Sequence, residues 1–191
     1  MEPVDPGDPA DAGDASTAKL LQSLHGALEQ GDASVALVTV LAGGNGRSGA
    51  ALLADASGRV EGSAGDPDLD RRMIHAATEC LRLGVSKRMS LGDTDVFIQA
   101  FTPPPVMYII GAVHPAAALA SAGKFLGYRV VVCDPRSPFA TPERLPAADE
   151  IAKEWPDRYL ARQEVTPRDA VCALTHDLKF DVPAIQAALR T

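Results

Sequence analysis

Apolar positions along this chain recur with two periods, one near 3.6 residues and one of two, and the changes between them mark out its elements. Leu20, Leu21, Leu24 and Leu28 repeat at helical spacing behind a Ser16/Thr17 cap candidate, and Gly31 closes that helix. Ahead of it, residues 1–16 are rich in Asp, Pro, Gly and Ala with almost nothing to bury, the composition of a disordered lead. Ser34 to Leu41 reads as a strand, the glycine-rich stretch from Gly43 to Gly49 as a mobile hairpin loop, Ala50 to Ala54 as a returning strand and, after a tight turn, Arg59 to Glu61 as a third. A helix over Pro67–Leu83 carries Leu69, Met73, Ala76, Ala77, Cys80 and Leu83 at core spacing, and a hairpin about Gly92-Asp93 joins Lys87–Leu91 to Asp95–Phe101.

After the stiff spacer Pro103-Pro104-Pro105 the pattern changes kind. Val106–Ile110 is a β-branched-rich run stopped by Gly111, Pro115–Leu126 has the composition of one helix ended by Gly127, and Tyr128–Cys133 is a second apolar run closing on Asp134. Strand, tight turn, helix and strand with a terminal acid form the first βαβ unit of a Rossmann-type domain. A long proline-rich connection to Asp149 follows, then a weak strand over Glu150–Trp155, a short helix over Pro156–Ala161, a strand over Ala170–Leu174 and a helix over Val182–Leu189. Four strands are fewer than a doubly wound sheet normally has. The expected class is therefore α/β: a truncated, Rossmann-like parallel sheet over 106–191, preceded by a small α+β domain over 17–102.

Composition narrows the function classes. A net charge of −7 with no cluster of Lys and Arg argues against nucleic acid as a partner. No apolar run reaches a membrane span and the first residues lack a signal peptide's basic start and apolar core, so a cytoplasmic protein is expected. Cys80, Cys133 and Cys172 are odd in number, widely spaced and set among apolar or helical residues, as buried reduced thiols are. Without CxxC or HExxH spacing, no dedicated metal site is expected, and the acids Asp66, Asp68 and Asp70 fit a dipole-matched helix start better than a calcium loop.

Candidate chemistry gathers at the ends of the later strands. In a GxGxxG turn, the second glycine lets backbone approach a pyrophosphate; here the glycine positions read Gly111, Val113 and Ala116. The branched Val113 weakens or abolishes phosphate binding, which argues on steric grounds against an NAD(P) cofactor. His114, directly before the helix, suits contact with an anion or is a surface histidine adjoining a helix start. Asp134 stands where such folds place the acid that meets ribose hydroxyls, or caps the loop before Pro135. Thr175-His176-Asp177 follows the last strand at the ligand-binding edge; with no nucleophile beside it, ligand or backbone contact fits better than acid–base catalysis.

These runs resemble a family. IIGAVHPAAALASAGKFLGYRVVVCDPRSPFATPERLPAADE, then the WPD at Trp155, then AVCALTHDLKFDVPAIQAAL, look like the C-terminal Rossmann domain of the XdhC/CoxI family of molybdenum-hydroxylase accessory proteins; the LVTVL…GAALLADASGRVEGS region resembles that family's N-terminal domain more faintly. In family terms Gly111, Ala112 and His114 match the glycine turn; Asp134, Pro135, Arg136, Phe139, Ala140, Glu143, Arg144, Pro146, Ala148 and Asp149 match the run after the second strand; and Thr175, His176 and Asp177 match the THD motif. The resemblance implies a non-catalytic accessory protein, a chaperone that binds the molybdenum cofactor through Gly111, Ala112, His114, Asp134, Arg136, Thr175, His176 and Asp177. It would pass the cofactor to a client such as xanthine dehydrogenase or carbon monoxide dehydrogenase, with cofactor-maturation proteins as further partners. An open sheet edge suggests a homodimer. The chain departs from the family pattern where a cysteine motif would follow Gly62-Ser63, in a missing Cys-Gly-Gly before Val96, in the glycine turn, and in a Gly-Ser-Arg segment expected after the THD. An NAD(P)-dependent oxidoreductase and a ligand-free interaction module are the competing readings.

Overall fold

The computed structural model describes residues 9–29, 31, 33–44 and 46–190. In chain order the elements are α1 (Pro9–Glu29), β1 (Val35–Gly43), β2 (Ala51–Asp55), β3 (Val60–Gly62), α2 (Pro67–Leu83), β4 (Lys87–Leu91), β5 (Thr94–Phe101), β6 (Val106–Ile110), α3 (His114–Phe125), β7 (Arg129–Cys133), β8 (Glu150–Ala152), α4 (Pro156–Leu160), β9 (Ala170–Ala173) and α5 (Leu178–Ala188). They fall into two compact units divided between Pro103 and Pro104, inside the triproline.

The first unit is an antiparallel sheet of order β3-β2-β1-β5-β4. Alternation along β1 places Val38 and Val40 on the face that α2 covers with Leu69, Met73, Ala77 and Cys80. The opposite face takes Leu20 and Leu24 of α1 against Val35 and Leu53. Asp66 caps α2 by accepting from the N–H groups of Asp68 and Leu69, Pro67 occupies the first turn, and Gly84 ends the helix in the left-handed conformation. The acids at that helix start are thus a cap and its neighbours: Asp70 accepts from Ala64 N–H and Ser63, and Asp68 pairs with Arg71.

One expectation for this unit is corrected. The helix begins at Pro9, so the disordered lead cannot extend to residue 16; residues 1–8 lie outside the described residues. Paucity of apolar side chains does not bar a helix, because alanine needs no burial to favour one and proline is at home in the first turn.

The second unit is a parallel sheet of order β8-β7-β6-β9. Numbered within the unit, that is 3-2-1-4, the strand order of a Rossmann half with the first strand of the next. Residues alternate sides along each strand: Met107, Ile109, Val130 and Val132 pack under Ala116 and Ala120 of α3, while Tyr108, Ile110, Val131 and Cys133 pack under Tyr159 and Leu160 of α4 and Ala184 of α5. Strands buried on both faces read as continuous apolar runs, which is why these were visible in the sequence.

Among the boundaries that shift, three are of note. β8 ends at Ala152, short of Trp155; His114 is the first residue of α3 and not part of the turn; and α5 starts at Leu178, four residues before Val182. The last shift matters for the site, since it makes Asp177 a helix cap.

Candidate functional site

From β6 the chain crosses through α3 to β7 and β8 on one side, and later returns to place β9 on the other side of β6. Open α/β sheets bind ligands where the strand order reverses, outside the carboxyl ends of the strands. Here that point lies between β6 and β9, and the segments leaving it begin at Gly111 and Leu174.

All eight sequence-derived candidates lie on the carboxyl edge: Gly111, Ala112 and His114 after β6, Asp134 and Arg136 after β7, and Thr175, His176 and Asp177 after β9. Several touch. Leu174 N–H donates to Ile110 O at 2.9 Å, and Gly111, at φ 106°, passes so close that a Cβ there would lie 2.8 Å from Thr175 Cγ2. Gly111 N–H donates to Cys133 O and Ala112 N–H to Asp134 Oδ2, both at 2.8 Å, which fastens the turn to the end of β7.

Asp134 is 1% exposed. Its Oδ1 accepts from Arg136 N–H (2.8 Å) and Nε (3.0 Å), and its Oδ2 from Arg136 Nη2 (2.8 Å) besides Ala112 N–H. Burial works against the carboxylate, but the hydrogen bonds from Arg136 and Ala112 outweigh it and hold the carboxyl below its ordinary range. The expected ribose acid is therefore engaged within the protein. Arg136 continues outward, its guanidinium 5.2 Å from the Phe139 ring centre and 5.7 Å from that of Phe180 in α5.

The THD segment builds the start of α5. Thr175 Oγ1 donates to Asp181 Oδ1 at 2.6 Å and accepts from Asp177 N–H at 3.1 Å; Asp177 accepts from Lys179 N–H at 3.1 Å and pairs with its ammonium at 3.0 Å. His176, between them, is exposed and lies at φ 55°, the one non-glycine residue with positive φ among the described residues. Thr175 and Asp177 thus shape the loop, and His176 is the group left facing solvent.

Around His114 there is space. A cavity of about 330 Å³ is lined by Ala112, Val113, His114, Ala117, Arg144 and Leu145. It opens on the start of α3, whose N-cap, Val113, offers no side-chain hydrogen bond to the first-turn N–H groups. The Arg144 guanidinium sits 5.4 Å from the Phe139 ring centre, and Phe139 and Trp155 are 41% and 42% exposed. Site reasoning from the sequence passed over Arg144 and the aromatic rings; the signal was the run from Phe139 to Arg144, two residues that already matched the family pattern.

A larger groove, about 790 Å³, lies in the first unit between α2 and β4. Its floor is Ala76, Leu83, Met89 and Leu91, and much of its charged rim is already engaged: Asp68 with Arg71, Glu79 with Arg82, and Arg72 with Leu91 O. His75 and Lys87 complete that rim.

Two family models match the chain. Residues 107–191 match the XdhC Rossmann domain, and residues 27–92 match the XdhC and CoxI family. The chain belongs to the XdhC and CoxI family. An 88-residue stretch of this XdhC-family chain, 46% of its length, is 31% identical to a probable xanthine dehydrogenase subunit of Bacillus subtilis (strain 168), and spans 27% of that protein. A crystal structure of a xanthine dehydrogenase from Bacillus halodurans is similar over 88% of this chain and 77% of that one, at 15% identity and a TM-score of 0.44. No helix among the described residues is long and apolar enough to cross a membrane.

Proposed function

We propose that this chain is an accessory protein of a molybdenum hydroxylase, holding the molybdenum cofactor at the carboxyl edge of its parallel sheet during transfer to the enzyme. The observation that carries the reading is the cavity beside Val113, where the uncapped start of α3, His114 and Arg144 converge. An anionic group suits that donor set: helix N–H groups and a guanidinium favour negative charge, and no carboxylate lines the cavity. His114 and Arg144 would hold the cofactor's phosphate end, and the half-exposed side chains of Phe139 and Trp155 would border its planar ring system. When delivered, the cofactor supplies the redox chemistry of the client; this chain contributes binding, orientation and exclusion of water. Family membership and the resemblance to a xanthine dehydrogenase subunit support the role and the kind of client.

Calorimetric titration of the full chain with cofactor extracted anaerobically from a hydroxylase tests this. Saturable binding is expected, weakened roughly tenfold or more by Arg144→Ala and by His114→Ala, the usual size of a lost charge-assisted hydrogen bond. Absence of binding, with no copurifying hydroxylase, would sink the reading.

A further inference from the structure

We infer that Asp134 and Arg136 make this edge selective against dinucleotides, because the chain's own groups engage a turn N–H and the terminal acid that a dinucleotide would use. The inference rests on the reading of the edge as a cofactor site and adds which ligands it turns away. In a Rossmann unit the turn after the first strand brings backbone N–H groups to a pyrophosphate, and the acid after the second strand takes ribose hydroxyls. Here a turn N–H, that of Ala112, is given to an anionic oxygen of the protein, Asp134 Oδ2. The acid, in turn, is covered by donors of the protein: both carboxylate oxygens are forked by the Arg136 guanidinium, and Oδ1 also takes Arg136 N–H.

The closure is held from outside as well. Arg136 lies over Phe139 and Phe180, so it cannot swing away without leaving two rings. Admitting a dinucleotide would require the guanidinium to depart, the buried carboxylate to turn and Ala112 N–H to be released, so that the charge-assisted hydrogen bonds around Asp134 break together. Val113 adds a steric barrier at the position where a glycine would let phosphate approach. A ligand in the cavity beside Arg144 borders Ala112 and Val113 but leaves the Asp134–Arg136 pair in place, since neither of those two residues lines it.

Removing the steric barrier alone and then both barriers together tests the inference. NADH fluorescence titration of the full chain should show no saturation up to about 1 mM for the wild type or for Val113→Gly. Val113→Gly combined with Arg136→Met, which keeps a long side chain between the rings while freeing the carboxylate, should bind NADH about tenfold or more tightly than Val113→Gly alone. Arg136→Gln in the same background carries the same expectation and serves if the methionine variant unfolds, as circular dichroism melts will show. Equal NADH affinity in Val113→Gly and the double variants would overturn the inference, as would folded double variants that stay silent. Titrating the wild type with molybdenum cofactor in parallel separates the two readings: failure there counts against the accessory role and leaves the NADH comparison standing.

Discussion

Gly111 and His176 both have positive φ on facing loops, for different reasons. At Gly111 the cause is contact as well as conformation, since a side chain would meet Thr175 Cγ2 at 2.8 Å and Thr175 N at 3.3 Å. Gly111→Ala should cost roughly 2–3 kcal/mol in urea denaturation, and adding Thr175→Ser, which deletes the nearer atom, should recover part of that loss but not the backbone strain. His176 faces open solvent, so only its backbone is constrained. His176→Gly should leave stability within about 1 kcal/mol of wild type, while His176→Val should lose about 1–2 kcal/mol in the same measurement. A glycine variant that keeps its stability yet binds cofactor less well would isolate the imidazole's share in binding. The sequence showed a histidine beside a strand end; it did not show the left-handed backbone, which follows from Thr175 and Asp177 both being committed to the start of α5.

At the level of elements, the Asp134 network ties the exit of β6 to the exit of β7, and it depends on protonation. The folded-state pKa of Asp134 is depressed, so its contribution is fully present above the unfolded value of about 3.9 and is lost as pH falls through the lower folded value. Urea midpoints should therefore drop more steeply between about pH 5 and pH 3 for the wild type than for Asp134→Asn; parallel slopes would show that the carboxylate adds nothing. Much of this layout was legible beforehand. Val106–Ile110, Val130–Cys133 and Ala170–Leu174 announce parallel strands by unbroken apolar content, and Gly111 and Gly127 punctuate them. What stayed hidden was the partner of each polar group. Spacing put an acid where ribose would bind, but only the fold shows that acid turned toward Ala112 and Arg136. Pro183 misleads for a related reason: proline usually marks a first turn, whereas here the helix starts five residues earlier on the Asp177 cap.

For the molecule as a whole, the two units have separate apolar cores, and the candidate chemistry belongs to the second alone. The triproline spacer suggested a division, and the hairpins before it and the βαβ unit after it suggested antiparallel and then parallel pairing. The cavity was not, because Arg144 and His114 are 30 residues apart and meet only once the long connection after β7 folds back over α3. That connection packs through Ala140 and Leu145, both buried, which explains how a stretch with so many prolines keeps one course.

The Cys133 thiol ends β7 directly beside Asp134, and burial with the nearby Glu154 and Asp134 charges pushes its pKa up to about 12 while the S–H leans on Glu154 O at 3.4 Å. Such a sulfur is inert to alkylating reagents until the rim around it opens. It can therefore serve as an internal clock: the rate at which a maleimide labels Cys133, followed by peptide mass spectrometry, should rise in Arg136→Met. The same shielding keeps this sulfur from acting as a ligand to a metal ion while the rim stays closed.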